Sequence, residues 1–355
     1  MNCMSKRLIG GFMKKEFKLN ENGVDFTRVP QRKLRTGDTI PAVGIGTFGS
    51  DRFTAEQISD AVLGAIGSGY RHIDCASVYM NEKEIGNSLK LAVDGGVPRE
   101  ELWITSKVWN DMHDEGDVIK SCKQSIEDLQ VGYLDLYLVH WPFPNYHAPG
   151  CDVDSRSPDS KPFSIEDFMV TWRQMERLVE MGLVKNIGTS NMTVAKFDAV
   201  WDLMAIKPSI NEMEIHPHFQ QKSLFEYCTK QNIQQIGFCP IGSPTRPDRD
   251  KSSTDTSDIE DPVILKIAKR LNVHPAVVCV KWATQRGQIP IPFSIRENEY
   301  ISNLACSMDN LLTEEEMDEI SGIDKDCRLI KGQVFLWESA KSWEDLWDLE
   351  GEIVK

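Results

Sequence analysis

A chain of 355 residues, 41% hydrophobic and 26% charged, is long enough to bury a substantial core and carries no apolar run able to cross a bilayer. Its formal charge of −14 repels nucleic acid and anionic membrane surfaces, so neither is an expected partner. The nine cysteines are odd in number and form no C-x-x-C pair, which points to reduced, mostly buried thiols and a cytoplasmic setting.

Residues 1–31 are mildly basic (Lys6, Arg7, Lys14, Lys15, Lys18), lack an apolar leader core and show no clear periodicity. They read as a loosely ordered extension. A hairpin is expected over about Arg32 to Pro41. Strand-like runs then follow at 43–46, 71–74, 102–107, 134–140, 184–190, 210–215, 234–239 and 288–292. Most are continuously apolar, as parallel strands covered on both faces require.

Helical periodicity fills the intervals. Over 54–69, Ile58, Val62, Ala65 and Ile66 form a stripe, with Thr54 as N-cap and Gly69 just past the end. Over 164–182, Ser164 caps, Asp167 is the capping-box acid, Phe168, Trp172, Met175 and Val179 form the stripe, and Gly182 stops it. Further helices are expected at 81–93, 115–130, 193–205, 221–231, 261–271, 275–286 and 313–322. Eight β-then-α units predict one (β/α)8 TIM barrel over 32–355, with an N-terminal hairpin, long rim loops and a C-terminal loop. The irregular stretches 141–163 and 242–260 follow strands, which places them on the rim where active sites of such barrels sit.

"VGIGTFG" (43–49) contains G-x-G-x-x-G in Gly44, Gly46 and Gly49, followed by a helical pattern and a strand ending in Asp74, the fingerprint of a Rossmann phosphate turn. The ends of the other strands give a different picture. Asp74 ends the second barrel strand, with Tyr79 five residues on; Lys107 ends the third, His140 the fourth, and Ser190 and Asn191 the fifth. Singly, each has an ordinary role as a cap, a wall or a core residue. In a barrel they converge on one space. A tyrosine is a poor proton donor at neutral pH, and a nearby cation favours its ionisation. Lys107 supplies that cation, Asp74 holds the lysine, and His140 can donate a hydrogen bond to a carbonyl. Side chains provide no hydride, so a nicotinamide cofactor is implied.

"GYRHIDCASVYMNEKEIG" (69–86), "LDLYLVHWP" (134–142) and "NIGTSN" (186–191) resemble signatures of the aldo-keto reductase superfamily, and "SINEMEIHP" (209–217) and "LTEEEMDEI" (312–320) agree. The resemblance runs from about Lys33 to Asp324. It implies a (β/α)8 barrel that binds a nicotinamide nucleotide across its C-terminal rim and reduces carbonyls reversibly. On that resemblance Tyr79 is the general acid/base, Lys107 and Asp74 tune it, and His140 positions the carbonyl. Gly46, Thr47 and Phe48 fall beside the nicotinamide, which makes the Rossmann pattern a coincidence, and Asp74 also touches the cofactor.

The resemblance further implies that Ser190 and Asn191 hold the carboxamide. Glu212 stands where a glutamine is usual; an ionised carboxylate accepts from the amide NH₂ but cannot donate to its oxygen. Phe238 replaces a stacking tyrosine and Cys239 a serine near the pyrophosphate, with Ile241 and Ser243 alongside. A lysine-serine pair reads Phe293-Ser294, followed by Ile295. Glu299 aligns with an arginine that grips a 2′-phosphate, and Asn303 keeps the adenine position. Losing two cations and gaining an anion removes charge-assisted bonds of about 1.5–3 kcal/mol each. A carboxylate suits free ribose hydroxyls instead. NAD(H) is therefore the expected cofactor, with NADP(H) possible if Arg296 reaches the phosphate.

Phe48, Trp109, His140 and Trp141 are the expected substrate contacts, with Phe143 and Tyr146 nearby. The tail adds Trp337, Trp343 and Trp347, either as a helix packed on the barrel or as a substrate-enclosing loop. The substrate is expected to be a small sugar, polyol or aldehyde. His216 and His218 lack an evident third ligand, and no metal is expected. Rival functions are an NADP-dependent aldehyde-detoxifying reductase and a nucleotide-sensing regulator of the same fold. The expected assembly is a monomer or weak homo-oligomer.

Overall fold

The computed structural model describes residues 15–49, 52–144, 157–246, 248, 251–308 and 312–354. Strands β1 (Gln31–Lys33) and β2 (Thr39–Pro41) form the expected antiparallel hairpin. The eight strands that follow are β3 (Ile45–Gly46), β4 (His72–Asp74), β5 (Trp103–Val108), β6 (Leu134–Val139), β7 (Val184–Ser190), β8 (Ile210–Glu214), β9 (Gln234–Phe238) and β10 (Ile289–Pro290). They lie side by side in chain order, all parallel. The ring closes where the Gly44 and Gly46 amides each donate to the Pro290 and Pro292 carbonyls at 3.1 Å.

Among the described residues, ten α-helices cover the outside: α1 (Ala55–Gly67), α2 (Glu82–Asp94), α3 (Asp117–Leu129), α4 (Ile165–Glu180), α5 (Val194–Val200), α6 (Lys222–Lys230), α7 (Pro262–Leu271), α8 (Pro275–Arg286), α9 (Glu297–Ala305) and α10 (Glu314–Ser321). Thr54 closes a full capping box with Gln57 at the start of α1. At α4, Ser164 accepts from the Asp167 amide, but the Asp167 carboxylate makes no return bond among the described contacts, so the expected box is half formed. Helix α9 has no counterpart among the expected helices. It is nine residues long and Arg296 at its N-cap makes no side-chain cap bond, so no start signal precedes it.

Two layers of apolar packing result. One lies between strands and helices and includes Ile58, Val62, Leu89, Phe168, Trp172 and Trp282. The other fills the barrel interior with Leu136, Leu138, Ile210, Ile236 and Ile289, plugged at its lower end by Leu34 and Ile40 of the hairpin. Part of the segment expected to be loose is docked: Asn20 donates its amide to Gly67 O and its Nδ2 to Ser68 Oγ, and Val24 N donates to Ser68 O. Phe17 packs on the outer core. Residues 1–14 lie outside the described residues.

The glycines of the Rossmann-like pattern serve contacts between strands. A Cβ on Gly46 would lie 2.8 Å from Ile291 O at the closing seam; on Gly44 it would meet the His72 ring at 2.5 Å, and on Gly49 the Phe293 ring at 2.4 Å. None of the three takes a positive φ, so space and not backbone freedom demands glycine there. Because a backbone carbonyl at a hydrogen-bonded seam cannot swing aside, Gly46→Ala is expected to lose about 1–3 kcal/mol. A lower urea midpoint at unchanged slope checks this; an unchanged midpoint would mean the seam yields.

Candidate active site

Six of the strands deliver a candidate residue at or toward their C-terminal ends. Asp74 ends β4, Lys107 is the penultimate residue of β5, His140 follows β6, Ser190 ends β7, Glu212 lies in β8 opposite Ser190, and Phe238 ends β9. Tyr79 closes a 3-10 turn at Ser77–Tyr79, after which Met80 takes φ 55°. That turn is pinned on both flanks. Ser77 Oγ donates to Lys107 O at 3.1 Å, and Asn81 Nδ2 donates to Thr47 O at 3.0 Å. Asn81 was not anticipated from the sequence; its position just ahead of the first acidic turn of α2 was the available signal.

Lys107 is the centre of the cluster. Its Nζ donates to Asp74 Oδ2 at 2.5 Å and to Cys75 O at 3.0 Å, and stands 3.4 Å from Glu212 Oε1. The same ammonium lies 5.4 Å from the Tyr79 ring centroid. The Tyr79 and His140 rings meet edge to face at 5.8 Å, with Phe48 on the far side of Tyr79 at 5.2 Å. The four residues expected to carry the chemistry are therefore one contiguous group.

Burial sets the electrostatics. It disfavours the Lys107 ammonium, but Asp74 and Glu212 more than restore it and hold the lysine charged. Burial also pushes the Tyr79 phenol above its ordinary range. Lys107 pulls it down, while Asp74 and Glu212 push it up again. The net lowering expected from the neighbouring cation is thus absent in the free protein, because burial outweighs it and the two carboxyl groups beside the lysine add to the rise. His140 is held well below its usual value by burial and by Lys107, so it is a neutral imidazole at physiological pH, and its Nδ1 has no hydrogen-bond partner among the described residues.

The remaining candidates ring this group. Thr47 Oγ1 donates to Asp74 O at 2.8 Å. Asn191, at φ 56°, donates Nδ2 to His140 O at 3.0 Å and to Ser190 Oγ at 3.1 Å, while its Oδ1 is buried without a donor. Phe238, Cys239, Ile241 and Ser243 are half-buried along the β9 exit, and Phe293 and Ile295 are half-buried beyond β10. Ser294 and Asn303 are buried. Glu299 is engaged: Ser294 Oγ donates to its Oε2 at 2.7 Å and Arg296 Nη1 to its Oε1 at 2.8 Å. Burial works against the Glu299 carboxylate, but those two bonds and the guanidinium charge hold it below its ordinary range.

Trp109 stacks edge to face on His140 at 5.0 Å. Trp141 and Trp109 both pack on Phe335 of the tail, at 4.6 and 5.7 Å. Leu336, Trp337, Leu346 and Trp347 complete the cluster with Phe143. The tail is therefore a loop with short 3-10 turns, in place of the helix that was one of the two expectations, and it buries Trp337 and Trp347 against the site wall. Phe335 was missed in the sequence, where the neighbouring tryptophans were the conspicuous residues. Tyr146 lies outside the described residues.

His216 and His218 serve a buried latch. His216 Nε2 meets Glu214 Oε1 at 3.1 Å and its Nδ1 meets Asp258 Oδ2 at 2.9 Å. Glu214 also accepts from the tail amides of Leu329 at 2.7 Å and Ile330 at 2.9 Å. His218 bonds Thr256 and Asp261 at 2.8 and 2.9 Å. One imidazole thus ties the barrel to both the rim loop and the tail. Among the described residues no group of three or more His, Cys, Asp or Glu is arranged to hold a metal. A cavity of about 330 Å³ opens at the opposite, hairpin end, and its two lining cations are already paired, Arg71 with Glu101 and Lys185 with Asp135.

Comparison with known proteins agrees with this geometry. Residues 42–325 match the profile described as Aldo/keto reductase family. The chain is 38% identical over 307 residues to aldo-keto reductase family 1 member A1 of Xenopus tropicalis, covering 86% of this chain and 91% of that one. It is also 38% identical over 304 residues to aldose reductase C of Dictyostelium discoideum, covering 83% and 90%. A solved Bombyx mori aldo-keto reductase (AKR2E4) in complex with NADP superposes with a TM-score of 0.76 at 30% identity, over 87% of this chain and 96% of that one.

The latch carries a pH signature. Burial disfavours the His216 imidazolium, but Asp258 and Glu214 lift it to about 9. A raised histidine stabilises fully below its unfolded value of about 6.5, and that stabilisation is lost as pH rises through about 9. His216→Asn strands two buried carboxylates and is expected to cost about 3–5 kcal/mol near neutrality. Urea melts across pH check this: the gap from the unsubstituted protein should shrink above about pH 9.

Proposed function

The chain belongs to the Aldo/keto reductase family, an NAD(P)H-dependent oxidoreductase acting on carbonyls, and from that premise we propose that it exchanges hydride between NAD(H) and the carbonyl or alcohol of a small aldehyde, sugar or polyol, with Tyr79 as general acid/base. The observation that carries this is the buried Lys107 ammonium, 2.5 Å from Asp74 and set behind the Tyr79 ring, with neutral His140 on the other side.

The rim suits a nicotinamide nucleotide chemically. Asn191 Oδ1 is buried without a donor, an acceptor matched to a carboxamide NH₂. Ser190, Asn191 and Glu212 would hold that group, Gly46, Thr47 and Phe48 would flank it, and Phe238 would offer a ring face. Cys239, Ile241 and Ser243 would follow the pyrophosphate, and Phe293, Ser294, Ile295, Glu299 and Asn303 the adenosine. The bound nucleotide supplies the hydride, which no side chain can. The protein's own part is positional and acid–base. His140, uncharged, donates a hydrogen bond that orients the substrate oxygen; Tyr79 delivers its proton to that oxygen; Lys107 meets the phenolate that remains. Trp109, Trp141 and Phe335 exclude water over the substrate.

Preference for NAD(H) is supported by Glu299, whose carboxylate already takes the hydroxyl of Ser294 and the guanidinium of Arg296. A 2′-phosphate there would face an anion, and the adjacent Arg296 guanidinium is already paired with it. The Bombyx mori relative was solved with NADP, so an NADPH-dependent aldehyde reductase is the competing reading, and cofactor titration separates the two.

Titration with NADH and NADPH, followed by quenching of the nine tryptophans, is expected to show tighter NADH. The double change Phe293→Lys with Glu299→Arg is expected to shift the ratio toward NADPH by at least about tenfold, or 1.4 kcal/mol. Tighter NADPH in the unsubstituted protein would overturn the preference. Tyr79→Phe is expected to lower kcat by roughly 10²–10⁴ while NADH still binds; surviving turnover would remove Tyr79 from its role, and nucleotide binding without turnover in the unsubstituted protein would favour a nucleotide-sensing regulator.

A further inference from the structure

Glu212 is 2% exposed and lies on the same buried ammonium as Asp74. Two carboxyl groups therefore face one lysine. Asp74 Oδ1 and Glu212 Oε2 are both buried, and neither receives a hydrogen from any other described group. Both carboxyls instead draw on the one Lys107 ammonium, at 2.5 Å for Asp74 Oδ2 and 3.4 Å for Glu212 Oε1, so two acids share a single counter-charge.

Among the described residues, the surroundings bring no second cation to neutralise another negative charge. From β4 come Asp74 and, beyond it, Cys75 and the Tyr79 phenol; from β5 comes Lys107; His140, after β6, is neutral. The strands flanking β8 bring Ser190, Asn191 and Phe238 to this level, none of them ionisable. Glu214, two residues along β8, is committed to His216 and the tail amides. One lysine thus balances one carboxylate, and the second keeps its proton.

We propose that Glu212 is a positioning residue for proton transfer, holding a proton against Asp74 so that the Asp74–Lys107–Glu212 triplet is neutral when the enzyme works, and that loss of this proton shuts the reaction down at alkaline pH. This rests on the reductase reading above. The departure from the usual amide is then functional: an amide at this position could not ionise. While the proton is held, Tyr79 faces a neutral triplet and can leave a phenolate behind after delivering its proton. Once it is lost, the triplet is a net anion beside that phenolate, and both carbonyl reduction and alcohol oxidation become harder. Burial, then the Asp74 charge, lift the Glu212 carboxyl to about 8, within the range where this would be felt.

Two measurements test this. The first needs no turnover: difference infrared spectra of the full chain between about pH 7 and about pH 10 should show a buried protonated carboxyl disappearing, a band that Glu212→Gln abolishes. The second is kcat/KM against pH with NADH or NADPH and para-nitrobenzaldehyde. The unsubstituted enzyme is expected to lose activity with an apparent midpoint near 8, and Glu212→Gln to move that limb upward by at least about one unit. Nucleotide affinity should weaken over the same interval in the parent and not in the variant. A limb that stays in place in Glu212→Gln, or no protonated-carboxyl band in the parent, would overturn the proposal. If neither protein reduces an aldehyde, the reductase reading has failed, and the infrared band alone decides whether Glu212 carries the proton.

Discussion

The structure is organised around a single buried ammonium. Lys107 lies on the inner face of the barrel, wholly removed from water, and a charge there persists only because carboxyl groups are brought to it from other strands. Asp74 comes from β4 and Glu212 from β8, so the cluster spans from one side of the barrel to the other. Neither carboxyl is near Lys107 in sequence. The parallel register that places Asp74 opposite Thr105 and Ser190 opposite Glu212 is therefore also the device that assembles the charge.

That register depends on closure. The shortest strands, β3 and β10, meet at the seam, and they meet there because Gly44 and Gly46 present no side chain to His72 and to the Ile291 carbonyl. Closure then fixes where Thr47 hangs, and Thr47 in turn holds Asp74 and receives Asn81. The Tyr79 turn is pinned between that seam and β5. Strain at the seam would consequently be felt at the phenol, although the two are separated by a strand.

Above the charged cluster the rim is enclosed by residues from distant parts of the chain. Phe335 bridges Trp109 and Trp141, and the tail that carries it is fastened twice. Its start is held by Glu214 through Leu329 and Ile330. Its end is held by Asp348, which takes the Lys196 ammonium and the Thr193 hydroxyl in a buried contact. Arg328 covers the Trp347 ring at 3.4 Å. These fastenings make the aromatic wall a built part of the site, set over a neutral His140 whose remaining hydrogen-bonding capacity is left for a ligand.

Much of this was determined by the sequence alone. Eight strand positions, the hairpin and nine of the helices followed from periodicity and caps, because those signals are local and the chain obeys them within a residue or two, except that α5 gives way to a 3-10 turn at Trp201–Leu203. The acid, phenol, ammonium and imidazole could be read off as a set because strand ends in such a barrel converge. Other features belonged to tertiary structure. Helix α9 forms without a side-chain cap, stabilised by burying Tyr300 and Leu304. The G-x-G-x-x-G pattern states that three side chains are missing but not what fills the space. His216 and His218 share a face in a manner suited to a metal, and only the arrival of Asp258 and Asp261 from another loop turned them into a latch. The proton on Glu212 is of the same kind: residue type says carboxylate, and only three-dimensional packing, by placing two carboxyls on one desolvated lysine, decides that one of them stays an acid.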